Sequence, residues 1–280
     1  MLYTGNLNRS LIVVVGSCCW WSAPSVLAQE ADGRTEAAAT TDAAGAGETI
    51  DSSKPTNFYS LLENNFEASW RKERGNLYGY RANLTMALSE ANLVLVEVPV
   101  LYNTESKEFL PGDLRGRYFF LPYKNYDNFF GAFGPSIDVF APTGDYTTGH
   151  GNARWIVSPG LTAGLMIADW IQAFPIISYQ YSSEFVDDRV TEAELPRELR
   201  DELHGITAQV VVPIVASEAL FFQVTPIVAW GDLSDSGSVA YSQELLGVYS
   251  LTPTLQVSAF YRGDFKVKTH TTRLGLTVFL

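Results

Sequence analysis

From about residue 64 the chain is a series of segments in which apolar and polar residues alternate. The last one shows the pattern well. In Thr271 to Leu280, Leu274, Leu276, Val278 and Leu280 fall on one side of a period-two strand, and Thr271, Arg273, Gly275 and Thr277 on the other, with Phe279 the apolar exception. A chain that stops on such a strand needs a partner for its final edge, and closing the sheet on itself supplies one. Strands are predicted near 64–72, 77–88, 92–103, 112–123, 129–142, 153–167, 169–182, 204–216, 218–231, 238–250, 254–264 and 271–280. The spacing predicts no amphipathic helix outside the 183–203 loop.

The connections alternate short and long. Ser89-Glu90-Ala91, 124–128, Ala168, Ser217 and 251–253 are short; 73–76, 104–111, 143–152, 183–203, 232–237 and 265–270 are longer. Transmembrane barrels have short periplasmic turns and longer outer loops, and an even strand count puts both termini in the periplasm. The expectation is an all-β, transmembrane, up-and-down antiparallel β-barrel of about 12 strands over 57–280.

The alternation also assigns faces. Val94, Val96, Val98 and Val100 oppose a face carrying Glu97; Leu114, Tyr118 and Phe120 oppose Asp113, Arg115 and Arg117; Phe129, Phe133, Ile137 and Val139 oppose Ser136 and Asp138. A charge facing lipid at mid-depth costs ~2–4 kcal/mol, so these charges belong in the lumen. A water-soluble barrel would put them outside. The N-terminus decides between the two. Arg9, the apolar run from Leu11 to Val15 and the small-residue site Val26-Leu27-Ala28 read as a secretory signal over 1–28. A loose lipoprotein-like box at Val15-Gly16-Ser17-Cys18 is the alternative, with Cys18 lipidated. Residues 29–56 are rich in Ala, Thr, Gly, Asp and Glu without apolar period and are expected to be a disordered periplasmic tail.

Composition narrows the classes. No run of about 18 uncharged apolar residues exists, which excludes a transmembrane helix. The 46% apolar content and 13% aromatic content suit strands with aromatic girdles. A formal charge of −12 argues against nucleic acid. Both cysteines, Cys18 and Cys19, lie in the signal, so a processed chain has no thiol for a disulfide or a metal.

Gly112-Asp113-Leu114-Arg115, Gly134-Pro135, Ala141-Pro142-Thr143-Gly144-Asp145, Gly149-His150-Gly151 and Ser158-Pro159-Gly160-Leu161 follow one another in an order that resembles the outer-membrane transporter family grouped as "MetA-pathway of phenol degradation". Asn64-Asn65-Phe66 looks like that family's first strand. Ser158 departs from its commoner Gly, and Leu280 stands where many barrel proteins end in Phe. The resemblance covers roughly 64–280, most closely 112–165, and implies a barrel of about 12 strands that passes small, often hydrophobic, organic compounds.

The lumen candidates are Arg81, Arg115, Arg117, Arg154, Arg262 and Arg273, facing Glu97, Asp138 and Glu244. They make either a charged constriction that selects solutes or an ion-paired network that fills a narrow barrel. The excess of Arg favours anionic solutes. His150, His204 and His270 lie in or beside outer loops, and no motif ties Ser238 or Ser242 to one of them, so catalysis finds little support. The acidic 183–203 loop, with a short helix over 191–203, is either solvated or bridged by divalent cations to lipopolysaccharide phosphates. No cofactor or metal site is expected. The reading is an outer-membrane channel whose partners are membrane lipid and lipopolysaccharide, the barrel assembly machinery (through the C-terminal strand) and a small-molecule solute. The alternatives are a non-transporting structural or surface-interaction barrel and an outer-membrane lipid-modifying enzyme.

Overall fold

The computed structural model describes residues 58–72, 74–185 and 200–280. The signal segment, the tail up to residue 57 and most of the acidic loop, 186–199, lie outside the described residues. Twelve strands follow in chain order: β1 (Leu61–Trp70), β2 (Leu77–Ser89), β3 (Asn92–Asn103), β4 in three pieces (Phe109–Pro111, Leu114–Phe120 and Tyr123–Lys124), β5 (Phe130–Ala141), β6 (Ile156–Ala168), β7 (Ile171–Ser182), β8 (Leu203–Val215), β9 (Leu220–Trp230), β10 (Val239–Thr252), β11 (Leu255–Asp264) and β12 (Thr269–Phe279). Each pairs antiparallel with its chain neighbours, and β12 pairs with β1, so the sheet closes into a barrel. At about 3.3 Å rise per residue and a tilt near 40°, strands of this length cross the ~25 Å apolar layer of an outer membrane.

The pieces of β4 belong to one strand, since Phe109–Pro111 and Leu114–Phe120 both pair with β3 and Tyr123–Lys124 continues along β5. It breaks at Gly112-Asp113 and at Leu121-Pro122, where proline has no N–H for the ladder. Residues 109–111, expected in a loop, are paired. β1 starts three residues before its expected position because the register runs from Leu61↔Phe279 to Trp70↔His270. Its outward-facing Asn64 breaks the polarity pattern and hides the strand's first turn of alternation. Leu203, expected at the end of a surface helix, opens β8 instead.

The connections sort by length between the two rims. The turns 90–91, 125–129, 169–170, 216–219 and 253–254 lie at the rim that holds both ends of the barrel. The opposite rim carries 104–108, 142–155, 231–238 and 265–268, together with the described residues that follow β1 and β7. Between the rims the outer surface is apolar, with Leu62, Val96, Ile137, Leu161, Leu274 and Leu276 all exposed. Trp70, Trp155 and Trp230 ring the loop rim, and Phe129, Trp170 and Tyr249 the turn rim, as two aromatic girdles.

The interior reverses this. Most buried side chains are polar or charged, and apolar packing is confined to small groups such as Phe221, Leu246, Val248 and Phe260, or Phe174, Ile176 and Val211. Phe119 and Leu121 of β4 form a third, against which Phe58 packs from just before β1. A soluble protein would place these two kinds of surface the other way round.

Candidate functional site

Two thirds of the inner wall is charged. From β12 through β1 to β5 the side chains form a lateral ladder of alternating sign. Arg273 Nε lies 2.6 Å from Glu67 Oε2, and Arg81 Nε donates to the same oxygen at 2.6 Å, with its Nη2 on Oε1 at 3.0 Å. Arg81 also donates to Glu97 on β3. Arg115 Nη1 lies 3.8 Å from Glu97 Oε2 and grips Asp138 with two nitrogens, Nε to Oδ1 at 2.9 Å and Nη2 to Oδ2 at 2.6 Å. Arg117 donates to the same Asp138. Farther round, Arg262 bonds Glu244 at 3.0 Å and Asp264 at 2.9 Å. Bidentate guanidinium–carboxylate pairs are the geometry that holds buried charge at least cost. Phe140, Phe119 and Phe260 lie 5.0, 5.4 and 5.2 Å from the guanidinium carbons of Arg115, Arg117 and Arg273, which adds cation–π contact.

Arg81, Glu97, Arg115, Arg117, Asp138, Glu244, Arg262 and Arg273 thus sit on the inner face, and Arg154 is buried at the end of the 142–155 loop. The ladder brings the first five of these and Arg273 together through Glu67. Three members escape sequence reading: Glu63 and Glu67, on the strand whose start was misplaced, and Asp264 at the end of β11. They change the balance. Arg81, Arg115, Arg117, Arg262 and Arg273 are five positive groups, against six negative ones in Glu63, Glu67, Glu97, Asp138, Glu244 and Asp264. The surplus of arginine expected from the sequence is cancelled.

The remaining third of the wall is neutral. Strands β6 to β9 contain no Asp, Glu, Lys or Arg, and their His204 faces outward. Their buried polar side chains are hydroxyls and amides, among them Ser158, Thr162, Ser178, Thr207, Gln209 and Gln223. Ser178 lies directly opposite Thr207 across the β7–β8 ladder. The two walls enclose a filled interior: Arg115 is 2% and Thr225 0% exposed.

The 142–155 loop is bound to the loop rim. Asp113 accepts the N–H groups of Gly144 at 3.0 Å and Asn152 at 2.9 Å, and Thr143 Oγ1 bridges Leu114 N and Gly112 O at 2.9 Å each. Gly144 and Gly151 touch backbone to backbone, where a Cβ on Gly151 would come 2.3 Å from Gly144 O. Arg71 Nη1 donates to Gly149 O at 2.9 Å, and burial pulls the Arg71 guanidinium down to about 10. The Gly-Asp, Pro-Thr-Gly-Asp and Gly-His-Gly stretches of the sequence are therefore one hydrogen-bonded clamp. His150, which the sequence puts in or beside an outer loop, is 6% exposed, with Nε2 on Leu101 O and Nδ1 on Thr148 Oγ1, both at 2.8 Å. Ser238 is tied to Asp232, while His204 meets Tyr179 and Glu202 and His270 meets Tyr261.

No family profile and no characterised protein sequence matches the chain. The family resemblance of 112–165 therefore rests on its motifs alone. Among solved structures, the NanC porin is 10% identical, covering 78% of this chain and 99% of its own, with a TM-score of 0.53. The KdgM porin, also solved in complex with disordered oligogalacturonate, is 9% identical, covering 77% of this chain and 98% of its own, with a TM-score of 0.50. At that identity the likeness is one of fold, and the fold is that of an outer-membrane porin barrel.

Proposed function

We propose that the protein is an outer-membrane channel of a Gram-negative bacterium that admits small solutes, with the turn rim and both chain ends in the periplasm and the longer loops outside. The observation that carries this reading is the polar interior of a barrel whose exterior is built for lipid. Gln223 Oε1, Gln256 Oε1, Asn83 Oδ1 and Glu244 Oε2 are buried there without a hydrogen-bond partner among the described residues. Leaving such an atom dry costs about 1–3 kcal/mol, so the interior favours water or a hydrogen-bonding solute over an apolar filling. The arginines are ion-paired to nearly equal numbers of carboxylates, which supports sorting by size and polarity more than by anionic charge.

Conductance of the refolded protein in a planar bilayer tests this. Steady conductance steps are expected. Silence from protein with β-rich circular dichroism and heat-modifiable gel mobility would overturn it in favour of a non-transporting structural barrel, the second reading, which the close packing of the inner side chains supports.

A further inference from the structure

The two parts of the inner wall resist displacement unequally, and that locates a path. In the charged part every step sideways separates an ion pair: Glu67 holds both Arg81 and Arg273, and Asp138 holds both Arg115 and Arg117. Removing one partner of a buried pair strands the other charge away from water. On the neutral wall Gln223 Nε2 reaches Thr225 Oγ1 at 3.3 Å and Gln180 Nε2 reaches Ser182 Oγ at 3.4 Å, both long bonds within one strand. Turning such a side chain forfeits one weak neutral bond.

Two groups on that wall lack a hydrogen-bond partner among the described residues. Thr162 Oγ1 and Gln223 Oε1 are buried in residues 1% and 4% exposed, and neither oxygen meets a donor. Between Thr162 and Gln223, on β7 and β8, lie Phe174, Ile176 and Val211, a small apolar patch on the same inner face. Unfilled acceptors and hydroxyls around an aromatic–aliphatic floor form a surface for a molecule with hydroxyls along its edges and C–H bonds on its faces.

Resting on the channel reading, we propose that the solute path runs along the inner face of β6–β9 and takes uncharged, hydroxyl-rich solutes of the saccharide class. The solute supplies donors to Thr162 Oγ1 and Gln223 Oε1, exchanges bonds with Ser178, Thr207 and Gln209, and lays an apolar face on Phe174. An ionised solute gains no counter-charge from this wall. The guanidiniums and carboxylates opposite are engaged with each other, so such a solute would lose hydration without recovering it.

The test is swelling of proteoliposomes that carry the full-length protein, in a neutral disaccharide and in a uronic-acid disaccharide of the same length. Wild type should admit the neutral sugar several-fold faster. Thr162→Val and Gln223→Leu should each slow neutral-sugar entry by about fivefold, the worth of one neutral hydrogen bond. Thr162→Ser should retain the wild-type rate. If Gln223→Leu fails to show heat-modifiable mobility, the Thr162 pair alone decides. Equal or faster entry of the uronic acid, or neutral-sugar rates untouched in folded Thr162→Val, would overturn the proposal and leave the channel standing. No entry of either sugar together with no conductance would overturn the channel itself.

Discussion

The charged wall, β10–β12 with β1–β5, and the neutral wall, β6–β9, are built from the same period-two strands, share one closed ladder and lie equally deep. They differ in how their inner side chains are held. In the charged wall one carboxylate serves two guanidiniums, so strain at one position passes to the next strand. In the neutral wall the bonds of Gln180 and Gln223 stay within their own strands. Rigidity in this barrel is thus a property of side-chain chemistry around the ring, since backbone ladders run through both walls.

The comparison breaks if the charged wall is not a connected unit. Glu67→Ala removes the shared partner of Arg81 and Arg273 and should cost ~3–5 kcal/mol, read as a lower urea midpoint for unfolding from lipid vesicles. A shift no larger than that of a neutral-wall substitution would mean that the ladder carries no load. The distinction between inside and outside sharpens it next. Val96→Arg places a charge on the lipid face of β3, should cost ~2–4 kcal/mol, and should lower insertion yield far more than Arg117→Ala, which leaves Asp138 its bidentate bond to Arg115. Equal yields would reverse the two faces. Least affected is Ser178→Ala in the neutral wall, expected to change stability by about 1 kcal/mol or less in the same urea titration. A loss comparable to that of Glu67→Ala would show that this wall too is cross-braced.

Much of the barrel was legible because lipid enforces a strict alternation. Arg81, Glu97, Arg115, Arg117, Asp138, Glu244, Arg262 and Arg273 announce their side through the Val, Leu, Tyr and Phe residues between them. Glu63 and Glu67 were lost for the complementary reason: outward-facing Asn64 puts a polar group where the code expects an apolar one. The neutral wall could be placed but not valued, since Ser, Thr and Gln are ordinary on any inward face, and only the finding that Thr162 Oγ1 and Gln223 Oε1 lack hydrogen-bond partners among the described residues sets them apart. The filled interior was out of reach altogether. Alternation tells which side a residue takes, whereas occupancy depends on the barrel's cross-section and on which rotamers meet across it. The clamp of the 142–155 loop was visible as a motif, and its meaning came with the contacts of Asp113 and Arg71.

The seam between β1 and β12 sets an order of events in folding. Ten consecutive residue pairs, Leu61↔Phe279 to Trp70↔His270, join opposite ends of the barrel's sequence, and the Leu280 N–H bonds Ser60 O at 2.9 Å. Every other strand pair forms between chain neighbours at small loop-closure cost, but this one must wait until all twelve strands are in place. Until then two long edges stay open to any other strand. The rate of seam closure, not the stability of the finished barrel, should therefore govern how much of the chain is lost to aggregation on the way to the membrane.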